Sequence, residues 1–324
     1  MGCRCSREGQ KSGVPKTFRS FVGTRFVIFS PMHDLVATAK NGDAIIRHVK
    51  QERKGRIVLQ SHNAFVTCAG FHPDGLLFIT GSADKTLKLW TISDSKCIST
   101  FRGHSEWVSG VEFSPDGSVV ASVSWDRTCR LWDLQGNCLG TLEGHSLAIY
   151  SVSWSPDGKL IATASGDGTA KLWSTDTYTE LRSLFGHKED VYDACFSPDG
   201  KVLATCSNDT TIKLWNTLTG DLYGTVKGHT AKITSIQFSP DGQILASASF
   251  DDSVVLWNTA SFDKAECTRI WTQTVNTYIA FSPDGETLAT VSGADDSEFV
   301  RFWRNFNTPC LTTATPTVDL LSQG

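Results

Sequence analysis

The sequence has no run of about 18 apolar residues, the minimum for a helix that crosses a bilayer. Polar and basic residues stand at the N-terminus where a secretory signal would need an apolar stretch. Neither a membrane-spanning nor a secreted chain is expected. There is no basic excess either: 30 Lys and Arg stand against 34 Asp and Glu, a net charge of −4, so nucleic-acid binding is not expected. A phosphate-binding glycine loop, a metal-ligand spacing and a singular nucleophile with its base are all missing. The chain therefore reads as no enzyme, with no cofactor, metal or small-molecule substrate expected. Ten cysteines are present, but Cys68, Cys129, Cys195 and Cys206 are scattered through apolar segments, where reduced cysteine serves as a small hydrophobe. Cytoplasmic residence is the expectation.

What the sequence does have is repetition. In a chain of 324 residues, 40% of them hydrophobic and ten of them tryptophan, there is enough apolar surface for a sizeable core. The string Phe-Ser-Pro-Asp-Gly, or a near copy, begins at Phe29, Phe71, Phe113, Trp154, Phe196, Phe238 and Phe281, at spacings of 42, 42, 41, 42, 42 and 43 residues. A tryptophan closes an apolar run at Trp90, Trp132, Trp173, Trp215, Trp257 and Trp303, and equal spacing puts His48 at that place in the first copy. A third landmark is His62, His104, His145, His187 and His229. Periods of this length signal a repeat architecture. Within each unit, Pro-Asp-Gly and similar strings supply turn chemistry, and the β-branched and aromatic runs between them predict short strands, four per unit.

Gly-His, Ser-Pro-Asp-Gly, an Asp in a tight turn and Leu-Trp closing each unit resemble the WD-repeat family, over residues 16 to 304. The resemblance implies an all-β, seven-bladed β-propeller. It further implies a buried hydrogen-bonded set in each regular unit: His62, Thr80, Asp84, Trp90; His104, Ser122, Asp126, Trp132; His145, Thr163, Asp167, Trp173; His187, Thr205, Asp209, Trp215; and His229, Ser247, Asp251, Trp257. A catalytic triad occurs once and this set occurs five times, so its residues read as structural. After Trp303 only a polar stretch follows, which leaves the seventh unit without an outer strand. Residues 16 to 22 resemble the outer strand at 180 to 185, so the N-terminal segment is predicted to complete the last blade and close the ring. Deleting residues 1 to 25 should then destabilise the whole domain.

Function should sit where the repeats differ. Met1-Gly2-Cys3-Arg4-Cys5-Ser6 fits an N-myristoylation pattern at Gly2, with palmitoylation candidates at Cys3 and Cys5. An ordinary flexible start for residues 1 to 15 is the alternative. Residues 1 to 56 hold 12 Lys and Arg against 4 Asp and Glu. Arg47, Lys50, Arg53, Lys54 and Arg56 form a basic loop expected on the propeller's bottom face, where it would meet anionic lipid or merely be solvated. The opposite, top face would carry Phe65, Trp107, Trp125, Asp190, Lys232 and Phe250, as partner-binding residues or as packing between loops. The reading is a scaffold that recruits proteins or peptides on its top face and is tethered by acylation to the cytosolic face of a membrane. A substrate receptor of a cullin-type ubiquitin ligase is the alternative, although Gln135 stands where the Trp-Asp-x-Arg pattern of such receptors needs Arg. Residues 305 to 324, rich in Thr and Pro, read as a disordered tail.

Overall fold

The computed structural model describes residues 16–19, 26–32, 34–40, 42–49, 56–60, 62–261, 267–272, 275–292 and 299–304. Every regular element among them is a strand. Seven four-stranded antiparallel sheets form, and in six of them four consecutive strands lie side by side in chain order. The turn joining the two innermost strands shows why these residues fold so. In the third blade Ser114 Oγ donates to Asp116 at 2.6 Å, Asp116 accepts from the Ser118 amide at 3.0 Å, and Ser114 Oγ accepts from the Val119 amide at 3.0 Å. Gly117 follows at φ +76°, and a Cβ there would stand 2.2 Å from His72 of the preceding blade, so glycine serves both the turn and the seam.

The seventh sheet closes the ring. Strand Lys16–Arg19 pairs antiparallel with Phe299–Arg304, in register Lys16 with Phe302 and Arg19 with Phe299. The predicted N-terminal closure is thus the observed topology, with the closing strand supplying the outer edge that the last blade lacks. The core is divided in the same way. Among the described residues seven clusters of buried apolar side chains occur, each drawn from two adjacent blades. Cys68, Ile79, Leu89 and Phe101 of the second blade meet Val108, Val111, Phe113 and Trp132 of the third, for example. Sheets packed on both faces explain why the strands do not alternate cleanly between polar and apolar residues.

The first blade corrects one reading. Equal spacing assigns His48 to the tryptophan position, but strand register assigns Arg47. Phe29 pairs with Val36 and Val36 with Arg47, as Phe71 pairs with Phe78 and Phe78 with Trp90. The cause is a tighter turn: Lys40 pairs with Asp43 across two residues, so Thr38 faces Ile45 where the second blade has Thr80 facing Lys88, one residue further on. Arg47 is half-buried and its Nη1 donates to Thr38 Oγ1 at 3.2 Å, the bond that Trp90 Nε1 makes to Thr80 Oγ1 at 3.0 Å. Arg47 therefore belongs to the interior of the blade and not to a lipid-facing loop.

Candidate interaction face

The repeated polar set defines the top of the ring. In blades two to six the histidine precedes the innermost strand, the hydroxyl lies on the second strand, the aspartate in the next turn and the tryptophan on the third strand. All twenty predicted residues meet as five chains. Trp Nε1 donates to the hydroxyl oxygen, His Nε2 meets the same hydroxyl, and His Nδ1 meets Asp Oδ2, with every distance between 2.7 and 3.0 Å. Burial lowers the pKa of His62 and of His187 although their aspartates oppose it, so these imidazoles are neutral at pH 7 and the chain has one direction. Tryptophan donates to the hydroxyl, the hydroxyl to Nε2, and Nδ1–H to the carboxylate. Burial alone would raise the Asp209 carboxyl, but hydrogen bonds from Thr211, the Lys188 amide and His187 outweigh it and hold it at about 2. With His187 Nδ1 and the Lys188 amide on Oδ2 and the Thr211 amide and Oγ1 on Oδ1, all four lone-pair sites of this carboxylate are taken and none is directed at a substrate. The seventh blade keeps part of the set, with Trp303 Nε1 donating to Thr290 Oγ1 at 3.1 Å.

The same turns frame a mouth. In each of blades two to six, a main-chain amide just after the second strand donates to a carbonyl just before the first: Ala83 to Phe65, Trp125 to Trp107, Gly166 to Ala148, Asn208 to Asp190 and Phe250 to Lys232, at 2.9 to 3.0 Å. Two positions per blade are thereby placed beside the mouth, and whatever side chain each carries takes no part in the bond. All six top-face residues expected from the sequence fall in these pairs. Trp107 and Trp125 stack with centroids 4.7 Å apart and planes 28° apart, and Trp125 is 45% exposed. Lys232 Nζ lies 3.8 Å above the centre of the Phe250 ring. Phe65 is 48% exposed and Asp190 is half-buried.

Two further aromatics, Tyr150 and Tyr192, were not expected. They lie second in the innermost strands of blades four and five, where other blades have Thr67, Ser109 and Thr234. Their rings approach to 5.4 Å, and the Tyr150 hydroxyl is 3.4 Å from Asp190 Oδ2. The telling signal was a large ring at a position that copies two, three, six and seven fill with a small hydroxyl.

Below the mouth a cavity of about 320 Å³ leads down the axis, and a second of about 600 Å³ opens between the Pro-containing turns of the other face. They share Ala69, Val111, Ser151, Val152, Asp193 and Tyr278 as a waist. Asp193 links three blades there, accepting from Ser151 Oγ at 2.6 Å and from the Ile236 amide at 3.0 Å. Burial lifts its carboxyl to about 6 against those bonds. Burial likewise lifts Glu112, which accepts from the Trp154 amide at 3.0 Å, to about 8 against that bond, with the charge of Asp193 adding to the rise.

On the opposite face Arg56 is exposed. Gly2, Cys3, Cys5, Lys50, Arg53 and Lys54 lie outside the described residues, as do the flexible segment expected over 1 to 15 and the tail at 305 to 324. Among the described residues no group of His, Cys, Asp and Glu could hold a metal ion, and no helix is long and apolar enough to cross a membrane.

Known proteins give the frame for this geometry. A family model described as WD domain, G-beta repeat (WD40) matches residues 54–91, 95–133, 136–174, 178–216 and 220–258, together more than half of the chain. Each matched unit begins two or three residues before the outer strand of one blade and ends at the close of the third strand of the next, so the sequence repeats interlock the blades. Pre-mRNA-processing factor 19 of Bos taurus, of Mus musculus and of Homo sapiens is 35% identical to this chain over 48 residues, 15% of this chain and 10% of each of those proteins.

Proposed function

Because the chain belongs to the WD40, G-beta repeat family, whose propellers generally serve as protein-interaction scaffolds without enzymatic activity, we propose that it recruits partner proteins on its top face. The observation that carries this reading is the stacked Trp107–Trp125 pair at the mouth, with Trp125 left 45% exposed. Large aromatics set around a concave opening are typical anchors of protein interfaces, and truncating one commonly costs 2 kcal/mol or more of binding, roughly a thirtyfold loss. Replacement of Trp107 by Ala is expected to abolish capture of the partners that the wild-type protein retains in affinity purification, with the melting temperature unchanged. An unchanged set of partners would refute the top-face reading.

The reading extends to a membrane tether through Gly2, Cys3 and Cys5. It is supported by the course of the closing strand. Lys16, its first residue, pairs with Phe302 near the end of the last blade's third strand, so the closing strand begins on the face opposite the mouth, the side of exposed Arg56. Two acyl chains, or one with a basic patch, suffice for stable attachment. A Gly2→Ala variant is expected to move from the membrane to the soluble fraction of eukaryotic cells; equal membrane recovery of both forms would end the proposal.

A further inference from the structure

The rim of the mouth is uneven in a way that selects a ligand. Of the five described pairs, that of blade four, Ala148 and Gly166, is the smallest, while its neighbours are Trp107 with Trp125 on one side and Asp190 with Asn208 on the other. The result is a notch in the rim. A Cβ at position 166 would stand 3.0 Å from the Tyr150 hydroxyl oxygen and press on that ring, so glycine leaves the notch open above it. Tyr150 lies beneath the notch beside Tyr192, and both open with Trp107 and Trp125 onto the cavity of about 320 Å³.

The charge of this notch is unbalanced. Asp190 is half-buried, and the Tyr150 hydroxyl approaches its Oδ2 to 3.4 Å. Among the described residues no Lys, Arg or His makes a salt bridge with it, and the nearby Lys232 Nζ lies instead over the rings of Phe250 at 3.8 Å and Tyr192 at 5.7 Å. Deeper on the same wall stands a second carboxylate, Asp193. Ring faces attract cations through their quadrupole, and a half-buried carboxylate gains from a partner that water screens poorly. A planar guanidinium satisfies both demands, because it stacks on a ring while its N–H groups bond an acid edge-on.

We propose that the notch over blade four receives the arginine side chain of a partner peptide, its guanidinium against the Trp107–Trp125 and Tyr150 rings and its charge paired with Asp190. The inference rests on the top-face reading and adds the chemistry of the partner. Ala148 and Gly166 make the entrance, the rings provide area, and Asp190 sets the sign of the charge.

The test is a titration of the full, isotope-labelled chain with the peptide acetyl-Ala-Ala-Arg-Ala-Ala-amide, following the indole N–H resonances of Trp107 and Trp125. A second titration replaces Arg by citrulline, which keeps the shape and loses the charge. The Arg peptide is expected to bind at least tenfold more tightly, and Asp190→Asn is expected to erase that difference while the melting temperature holds. Equal binding of the two peptides, or a tenfold preference that survives Asp190→Asn, would overturn the inference. If neither peptide moves the indoles while Trp107→Ala still loses its partners, the arginine notch falls and the top-face reading stands. If Trp107→Ala loses no partner, the top-face reading falls, and the arginine notch with it.

Discussion

Deletion of residues 1 to 25 is expected to lower the melting temperature by roughly 10 °C and to make the protein self-associate. The deletion removes the closing strand Lys16–Arg19, whose four residues pair with the edge of the last blade. At about 1 kcal/mol per hydrogen bond, the lost ladder is worth about 4 kcal/mol, and a large domain moves by about 2–4 °C for each kcal/mol. The second effect is chemical. The uncovered strand Phe299–Arg304 reads Phe-Val-Arg-Phe-Trp-Arg, an aromatic edge with free amides and carbonyls that will pair with another copy. Differential scanning calorimetry and size-exclusion chromatography read the two effects separately. A stricter form moves the strand. Because the closing strand starts on the face where Phe299–Arg304 ends, residues 16 to 19 placed after Arg304 through a short turn, as Asp133–Asn137 joins the third and fourth strands of blade three, should restore both values. A truncated protein that stays monomeric and melts like the wild type would show that the closure contributes nothing.

Asp126→Ala should cost about 3 to 5 kcal/mol at neutral pH, because it leaves His104 Nδ1–H and the Ser105 and Thr128 amides without their acceptor at once, and each unpaired buried donor costs about 1 to 3 kcal/mol. Its Oδ2 accepts from His104 Nδ1 at 2.8 Å and from the Ser105 amide at 2.9 Å; its Oδ1 accepts from the Thr128 amide at 3.0 Å and from Thr128 Oγ1 at 2.7 Å. The side chains of His104 and Asp126 are 0% and 6% exposed, so water cannot take over as acceptor. Burial alone would raise this carboxyl, but the hydrogen bonds from His104, Thr128 and the Ser105 amide hold it far below the usual range. A depressed acid binds fewer protons folded than unfolded. Its contribution is therefore complete above the ordinary value of about 3.9 and is lost as pH falls below it toward the folded value. Urea unfolding of both proteins should thus show the full gap at pH 7 and a narrowing one below about pH 4. A gap under 1 kcal/mol, or one that ignores acid, would contradict the assignment.

The ring was legible in the sequence because its instructions are local and repeated. Each Ser-Pro-Asp-Gly turn and each His–Asp–Trp chain is written within some 30 residues and copied in phase, so seven blades and their closure could be counted. Arg47 was misread because counting assumes equal copies. A turn shortened by one residue between Lys40 and Asp43 slides the following strand past the expected His48, and only the pairing of Val36 with Arg47 reveals it. The mouth was legible for residues in the turns, such as Trp107 and Phe250, whose places follow from the motif. Tyr150 and Tyr192 were missed because they lie inside strands, where an aromatic reads as core. Whether such a ring faces a neighbouring blade or the axis depends on the irregular register of the innermost strand, as between Ile149 and Ser151 or Val191 and Asp193, which periodicity does not record.

The main-chain bond that frames each pair at the mouth separates what holds the protein from what it says to a partner. Since the amide and carbonyl carry the bond, the two side chains beside it are free to be Trp and Trp, Ala and Gly, or Lys and Phe without change to the turn, and the buried chain behind them is indifferent to the choice. Recognition can then be rewritten one blade at a time, by substitutions that the fold does not feel. The ring thus behaves as a slate whose inscription can be altered without remaking the slate.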